Sequence, residues 1–82
     1  MSVYTYVYML QSRQLPQAHY VGITSDLDAR LKWHNKGAVP ATRNLRPWAF
    51  KTTVAFTDEL RARAFERYLK SGSGRAFASK HF

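Results

Sequence analysis

The stretch from Tyr20 to Asn35 (Y-V-G-I-T-S-D-L-D-A-R-L-K-W-H-N) constrains this chain more than any other. It reads as a short buried strand, a tight turn and an amphipathic helix. On a helix, Leu27, Arg30, Leu31 and His34 fall at i, i+3, i+4 and i+7, a stripe about 100° wide. The two leucines mark that stripe as the inward face. Arg30 and His34 therefore lie on an apolar seam, where an unpaired charge is costly. Lys32, Lys36 and Asp28 project to the sides or back, where charge stays solvated. Taken singly, Arg30 can snorkel over the core and His34 can make one buried hydrogen bond. Taken together, beside a strand bearing Tyr20, they equally describe the wall of a cleft.

The remaining elements follow from pattern. Val3 to Leu10 is rich in β-branched and aromatic residues and predicts a strand, with Tyr4, Tyr6 and Tyr8 on one face and Val3, Val7 and Met9 on the other. Gln11 to Ala18, with Pro16 inside, is polar and loop-like. His19 to Thr24 is a second strand, antiparallel to the first across that long connection. Ser25 can cap the helix, with Asp28 three residues on, and Gly37 suits its C′ position. Ala38 to Pro47 is an ordered basic loop, and Trp48 to Phe56 a third strand. Thr57 can cap a second helix, which runs to about Lys70 with an apolar arc of Leu60, Ala64, Phe65, Tyr68 and Leu69. Ser71-Gly72-Ser73-Gly74 stops it, and Arg75 to Lys80 adds a helical turn or two. The expectation is one α/β (α+β) domain over residues 1–82, in the order β-β-α-β-α-α.

Thirteen lysines and arginines against five acids give a formal charge of +8, so the natural partner is a polyanion, nucleic acid ahead of membrane. The charge is spread along the chain rather than gathered in a tail. There is no cysteine, which excludes a disulfide framework, a thiol nucleophile and cysteine-ligated zinc. No apolar run approaches 18 residues and no signal peptide is legible, so no membrane association and a cytoplasmic location are expected.

With so few acids, the metal arrangements can be tested one by one. Asp26 and Asp28 form D-x-D, but on a helix they point about 200° apart and cannot share an ion. Glu66 lies at the edge of the second helix's apolar arc, spaced for ordinary pairing with Arg63 and Lys70. A single-metal site with one carboxylate is compatible with this inventory, because magnesium often keeps several waters.

The motifs now form an ordered set. Tyr6-Val7-Tyr8 is followed by Tyr20-Val21-Gly22, by Arg30 and His34 on the next helix, and by Glu66 on a later one. Thr24-Ser25-Asp26-Leu27, Arg46-Pro47-Trp48 and Glu66-x-x-Leu69-Lys70 add further blocks. The set resembles the GIY-YIG endonuclease superfamily, most closely its small stand-alone members, across essentially the whole chain. Two departures stand out. Tyr6 occupies the first motif's glycine position, and the window 12–15 residues beyond Glu66 holds Ala78, Ser79, Lys80 and His81 where many members carry asparagine.

The resemblance implies a three-stranded antiparallel sheet flanked by helices and metal-dependent hydrolysis of DNA phosphodiesters, with Mg²⁺ or Mn²⁺, in DNA repair or processing in a bacterial cell. It implies that Tyr8 and Tyr20 are the motif tyrosines, Arg30 the transition-state arginine, His34 a His/Tyr position and Glu66 the metal ligand. Either Tyr20 or His34 is then the general base. Arg43, Arg46, Trp48 and Lys70 are candidate nucleic-acid contacts, with Trp48 either stacking on a base or opening the third strand in the core. With no separate targeting domain, specificity falls to DNA shape, a homodimer or a partner protein. The alternative is a module of the same fold that binds nucleic acid without cleaving it.

Overall fold

Three strands and three helices make up the computed structural model, which describes residues 3–82. They are β1 (Thr5–Ser12), β2 (His19–Thr24), α1 (Leu27–Asn35), β3 (Trp48–Phe56), α2 (Glu59–Lys70) and α3 (Gly72–His81), with a 3₁₀ turn at Arg43–Leu45. This is the expected β-β-α-β-α-α order, and the sheet is antiparallel throughout, β2-β1-β3. Among the described residues, no helix is long and apolar enough to cross a membrane.

β1 is central, and Val7, Tyr8, Met9 and Leu10 are buried in succession because both faces of the strand are covered. Val7 and Met9 pack with Ala62 and Leu69 of α2 and Ala78 of α3. Tyr8 and Leu10 pack with Trp48, Tyr20, and Leu27 and Leu31 of α1. β1 runs two residues further than its apolar run suggests. Gln11 and Ser12 pair with Ala49 and Trp48, and the Ser12 hydroxyl donates to Leu45 O (2.7 Å) while accepting from Gln14 N and Leu15 N.

Both expected caps move one residue on. Asp26, not Ser25, caps α1, its carboxylate accepting from Ala29 N at 3.1 Å. Asp58, not Thr57, caps α2, accepting from Leu60 N and Arg61 N. A carboxylate there satisfies free N–H groups and also meets the positive end of the helix dipole. Gly37 terminates α1 as expected, at φ 87°, with Gly37 N donating to His34 O and Ala38 N to Trp33 O.

Two expectations about α2 and α3 are corrected. The buried face of α2 is Ala62, Phe65, Glu66 and Leu69, whereas Leu60 is 77% exposed and Ala64 and Tyr68 face solvent. The helix is thus rotated by roughly 100° from the arc its large residues suggest. Small Ala62, fully buried, lies against the sheet in place of bulky Leu60. Ser71 does end α2 after Lys70, but Gly72-Ser73-Gly74 forms the first turn of α3, which runs 10 residues to His81 instead of a turn or two. Ser71 ends α2 and caps α3, donating to Tyr68 O (2.6 Å) and accepting from Gly74 N (3.2 Å). Gly74 is required by close approach, since a Cβ there would stand 1.7 Å from Tyr68 O.

Gly74→Ala should therefore destabilise by about 1–3 kcal/mol, as overpacking against backbone does. A Cβ at Gly72 meets nothing within 4 Å, so Gly72→Ala should leave stability unchanged or raise it. Urea midpoints of the two variants check the contrast.

Candidate active site

Tyr8 is where the site begins. Its β1 position pairs with Gly22 on β2, and its ring lies across that glycine. A Cβ at Gly22 would lie 2.3 Å from the Tyr8 hydroxyl oxygen, so only glycine admits the ring. Leu10 pairs with Tyr20 two positions on, which puts Tyr20 on the same face as Tyr8, ring centres 6.5 Å apart.

Helix α1 closes over this face, with Leu27, Arg30, Leu31 and His34 all at least partly buried, as the seam predicts. His34 is 0% exposed and both its ring nitrogens are occupied. Nε2 lies 2.9 Å from the Tyr8 hydroxyl and Nδ1 2.9 Å from Thr42 Oγ1. Thr42 Oγ1 also lies 3.4 Å from Val39 O, to which only its hydroxyl hydrogen can be given. The pattern assigns the tautomer: His34 Nδ1–H donates to Thr42, and Tyr8 O–H donates to Nε2. The Tyr20 ring meets the imidazole edge-on at 4.9 Å, and among the described residues no hydrogen bond engages the Tyr20 hydroxyl.

Arg30 donates to Ile23 O (3.3 Å), and its guanidinium lies 4.7 Å from the centre of the Trp33 ring. No carboxylate pairs with it among the described residues. Tyr8 lies within the electrostatic reach of Arg30, Tyr20 and Glu66 together. Burial raises its pKa above the ordinary phenol value, against the Arg30 hydrogen bond and charge, and Tyr20 and Glu66 add to the rise. Burial, then the Arg30 charge, lowers the pKa of His34. The pair is thus a neutral phenol donating to a neutral imidazole.

Glu66 comes from the opposite side of the sheet, on the inward face of α2. Its side chain is 19% exposed and bonds Lys70 Nζ at 3.2 Å. Arg63, its other expected partner, pairs with Glu59 instead. The described residues hold no group of three or more His, Cys, Asp and Glu that could bind a metal. A single carboxylate can hold a hard ion that keeps most of its waters, and Glu66 would have to give up Lys70 to do so.

The candidate nucleic-acid contacts divide. Arg43 and Arg46 are exposed, their Nε atoms donating to Gly37 O and Arg43 O, and the Arg46 guanidinium lies against Gly37. Trp48 is corrected as a stacking residue: it is 4% exposed, and its indole N–H donates to Thr42 O at 2.7 Å. A ring enclosed in that way has no face to offer a base. Lys70 remains half-exposed beside Glu66.

A family model, the GIY-YIG catalytic domain, matches residues 4–79. The chain belongs to the GIY-YIG family. No curated protein matches it significantly. GIY-YIG domains are nuclease domains that generally use divalent metals, with DNA as substrate. In this GIY-YIG chain the two name-giving tripeptides meet at one pair, Tyr8 opposite Gly22. Tyr6, at the first motif's glycine position, pairs with Thr24 and is partly buried.

Three contributors were not legible from pattern. Thr42 orients His34 from a loop position that carries no periodic signal. Asn35 accepts from Trp48 N (2.7 Å) and donates to Trp48 O (3.0 Å), tying α1 to β3. Trp33 supports Arg30 from three residues along the helix, a spacing that could have revealed it.

Because His34 is held neutral in the fold, the unfolded chain binds the extra proton first as pH falls through about 6.5. Stability is then complete above that pH and declines below it toward the lowered folded value. His19 shifts the same way, through burial and Lys51. Urea midpoints measured from pH 8 to 5 in a His19→Gln background should still fall below about pH 6.5; a flat profile would contradict a neutral, buried His34.

Proposed function

We propose that this protein is an endonuclease that hydrolyses DNA phosphodiesters by a one-metal mechanism. The observation that carries the reading is the set of groups acting on Tyr8: an arginine without an acidic partner, a second tyrosine and a lone carboxylate. Arg30 would bind the phosphate with its planar fork, a geometry lysine cannot reproduce. Its support by a carbonyl and an indole face, rather than by a carboxylate, leaves its charge available to the transition state.

The difference in exposure favours Tyr20 over His34 as the base. The His34 nitrogens are sealed and occupied, so an attacking water cannot reach them. Tyr20 is partly exposed with its hydroxyl unengaged, and we assign it contact with the water. Tyr8, bonded to His34, holds the adjacent phenol in place, and Arg30 favours negative charge on Tyr8. Glu66 would hold a magnesium or manganese ion, which when bound supplies Lewis-acid stabilisation of the phosphate and leaving oxygen. Arg43, Arg46 and Lys70 would bind flanking phosphates. DNA repair or processing in a bacterial cytoplasm, with targeting by a second subunit or partner protein, is the setting we assign to this activity.

A non-catalytic nucleic-acid-binding module is the second reading, favoured by the absence of asparagine in the window after Glu66. Nicking of supercoiled DNA with Mg²⁺ or Mn²⁺ separates the two. Glu66→Ala should abolish cleavage while leaving the fold nearly intact, because alanine favours the helix and the lost pair with half-exposed Lys70 is worth little. DNA binding should persist or strengthen. Identical cleavage, or identical inactivity, in wild type and variant under every metal would assign the chain to the binding module.

Arg43→Gln with Arg46→Gln should flatten the dependence of log K on log [salt] by up to about two units. An unchanged slope would place that loop away from the DNA.

A further inference from the structure

On the face of the sheet covered by α2 and α3, a cavity of about 680 Å³ opens beside Tyr20. This is within the range of about 300–1,000 Å³ in which small-ligand sites fall. Its apolar lining is Met9, Val21, Leu69 and Ala78, all part of the core on that side. Its basic lining is His19, Lys51, Lys70 and Arg75, and none of the lining residues is acidic. The lining is therefore two-part, an apolar surface and a cluster of cations.

The cations are set by the fold rather than scattered. The pairing of β1 with β3 shifts between Met9 and Leu10, skipping Lys51. That irregularity puts Phe50 with the Tyr8 cluster and frees Lys51 to line the cavity. Lys51 reaches across the central strand to within 3.5 Å of His19 Nε2 on β2. Two groups that both tend toward positive charge thus face one another, and burial first, then the Lys51 charge, drives His19 toward its neutral form. The Arg75 side chain has no hydrogen-bond or ion-pair partner among the described residues.

We propose that this cavity seats one unpaired nucleotide of the DNA strand, its phosphate on Lys51 and Arg75 and its base on the apolar lining. The inference rests on DNA being the substrate and adds that the preferred DNA carries an unpaired segment next to the cleavage point. Intact duplex presents phosphates but keeps its bases stacked, so it would leave the apolar lining unused. An unpaired nucleotide supplies both parts. Lys70 lines the cavity and bonds Glu66, which joins the cavity to the candidate active site.

The test is binding, measured by fluorescence anisotropy in EDTA, so that it is independent of cleavage. A duplex with a single-stranded extension should bind at least about fivefold more tightly than a blunt duplex of equal charge. Ser79→Leu, an exposed position that lines the cavity, should remove that preference without changing blunt-duplex affinity. Lys51→Gln with Arg75→Gln should remove it too and lower the salt slope for the extended duplex by about 1–2. As a readout free of DNA, deoxyadenosine 5′-monophosphate should raise the His19 imidazole pKa in an NMR titration, since an anion favours its charged form. Equal affinity for the two duplexes would overturn the inference, as would a preference that survives Ser79→Leu in a folded variant. Loss of Glu66-dependent nicking alone would overturn the nuclease reading and leave this one standing.

Discussion

Tyr8 lies flat across Gly22 with its hydroxyl 2.9 Å from His34, and the arrangement of three elements depends on that placement. The ring lies over the β1–β2 pairing, because any side chain at position 22 would collide with it. The hydroxyl fixes the depth of α1, because His34 must descend the seam to reach it. Through His34 the constraint passes to Thr42, and from the Thr42 carbonyl to the Trp48 indole at the start of β3. Replacing a fully buried aromatic by alanine ordinarily costs about 3–5 kcal/mol. Here the loss would also strand a buried imidazole. The same contact that holds the fold together is the centre of the candidate chemistry, so site and core are one network.

Charge is managed in a corresponding way. A chain with a formal charge of +8 must keep its cations apart or anchor them. Arg30 is anchored by a carbonyl and an indole face, neither of which cancels its charge. Arg43 and Arg46 are likewise held through backbone carbonyls. The ion pairs that do form are i,i+3 and i,i+4 pairs along α2, such as Arg63 with Glu59, whose exposed side chains contribute little to stability. Positive charge is thereby left available to an anionic ligand on both sides of the sheet.

Small residues set the packing of these helices, Ala62 of α2 against the sheet and Gly74 of α3 against the backbone of α2. Ala62 and Gly74 allow close packing that Leu60 or any larger residue at 74 would prevent. That packing turns Glu66 inward and leaves the cavity one turn further along α2, where Leu69 and Lys70 line it together with Ala78 of α3. The last turns of one helix thus supply both the inward carboxylate and part of the cavity wall.

The order of elements was legible from alternation in Val3–Leu10 and Trp48–Phe56 and from the 3.6-residue period of α1, because local backbone periodicity is written directly in apolar spacing. The Leu27–Arg30–Leu31–His34 seam was legible for the same reason, as was the family, from motifs in fixed order. The orientation of α2 was not. Leu60, Ala64 and Tyr68 form a wide apolar arc, and only packing against β1 selects the narrower face led by Ala62. The role of Trp48 was likewise undecided until the Thr42 carbonyl was seen to take its indole hydrogen. The convergence of His19, Lys51 and Arg75 depends on a register shift and a helix start far apart in the chain. Sequence determines what each segment can bury; tertiary contact decides which of its faces is buried and which distant charges become neighbours.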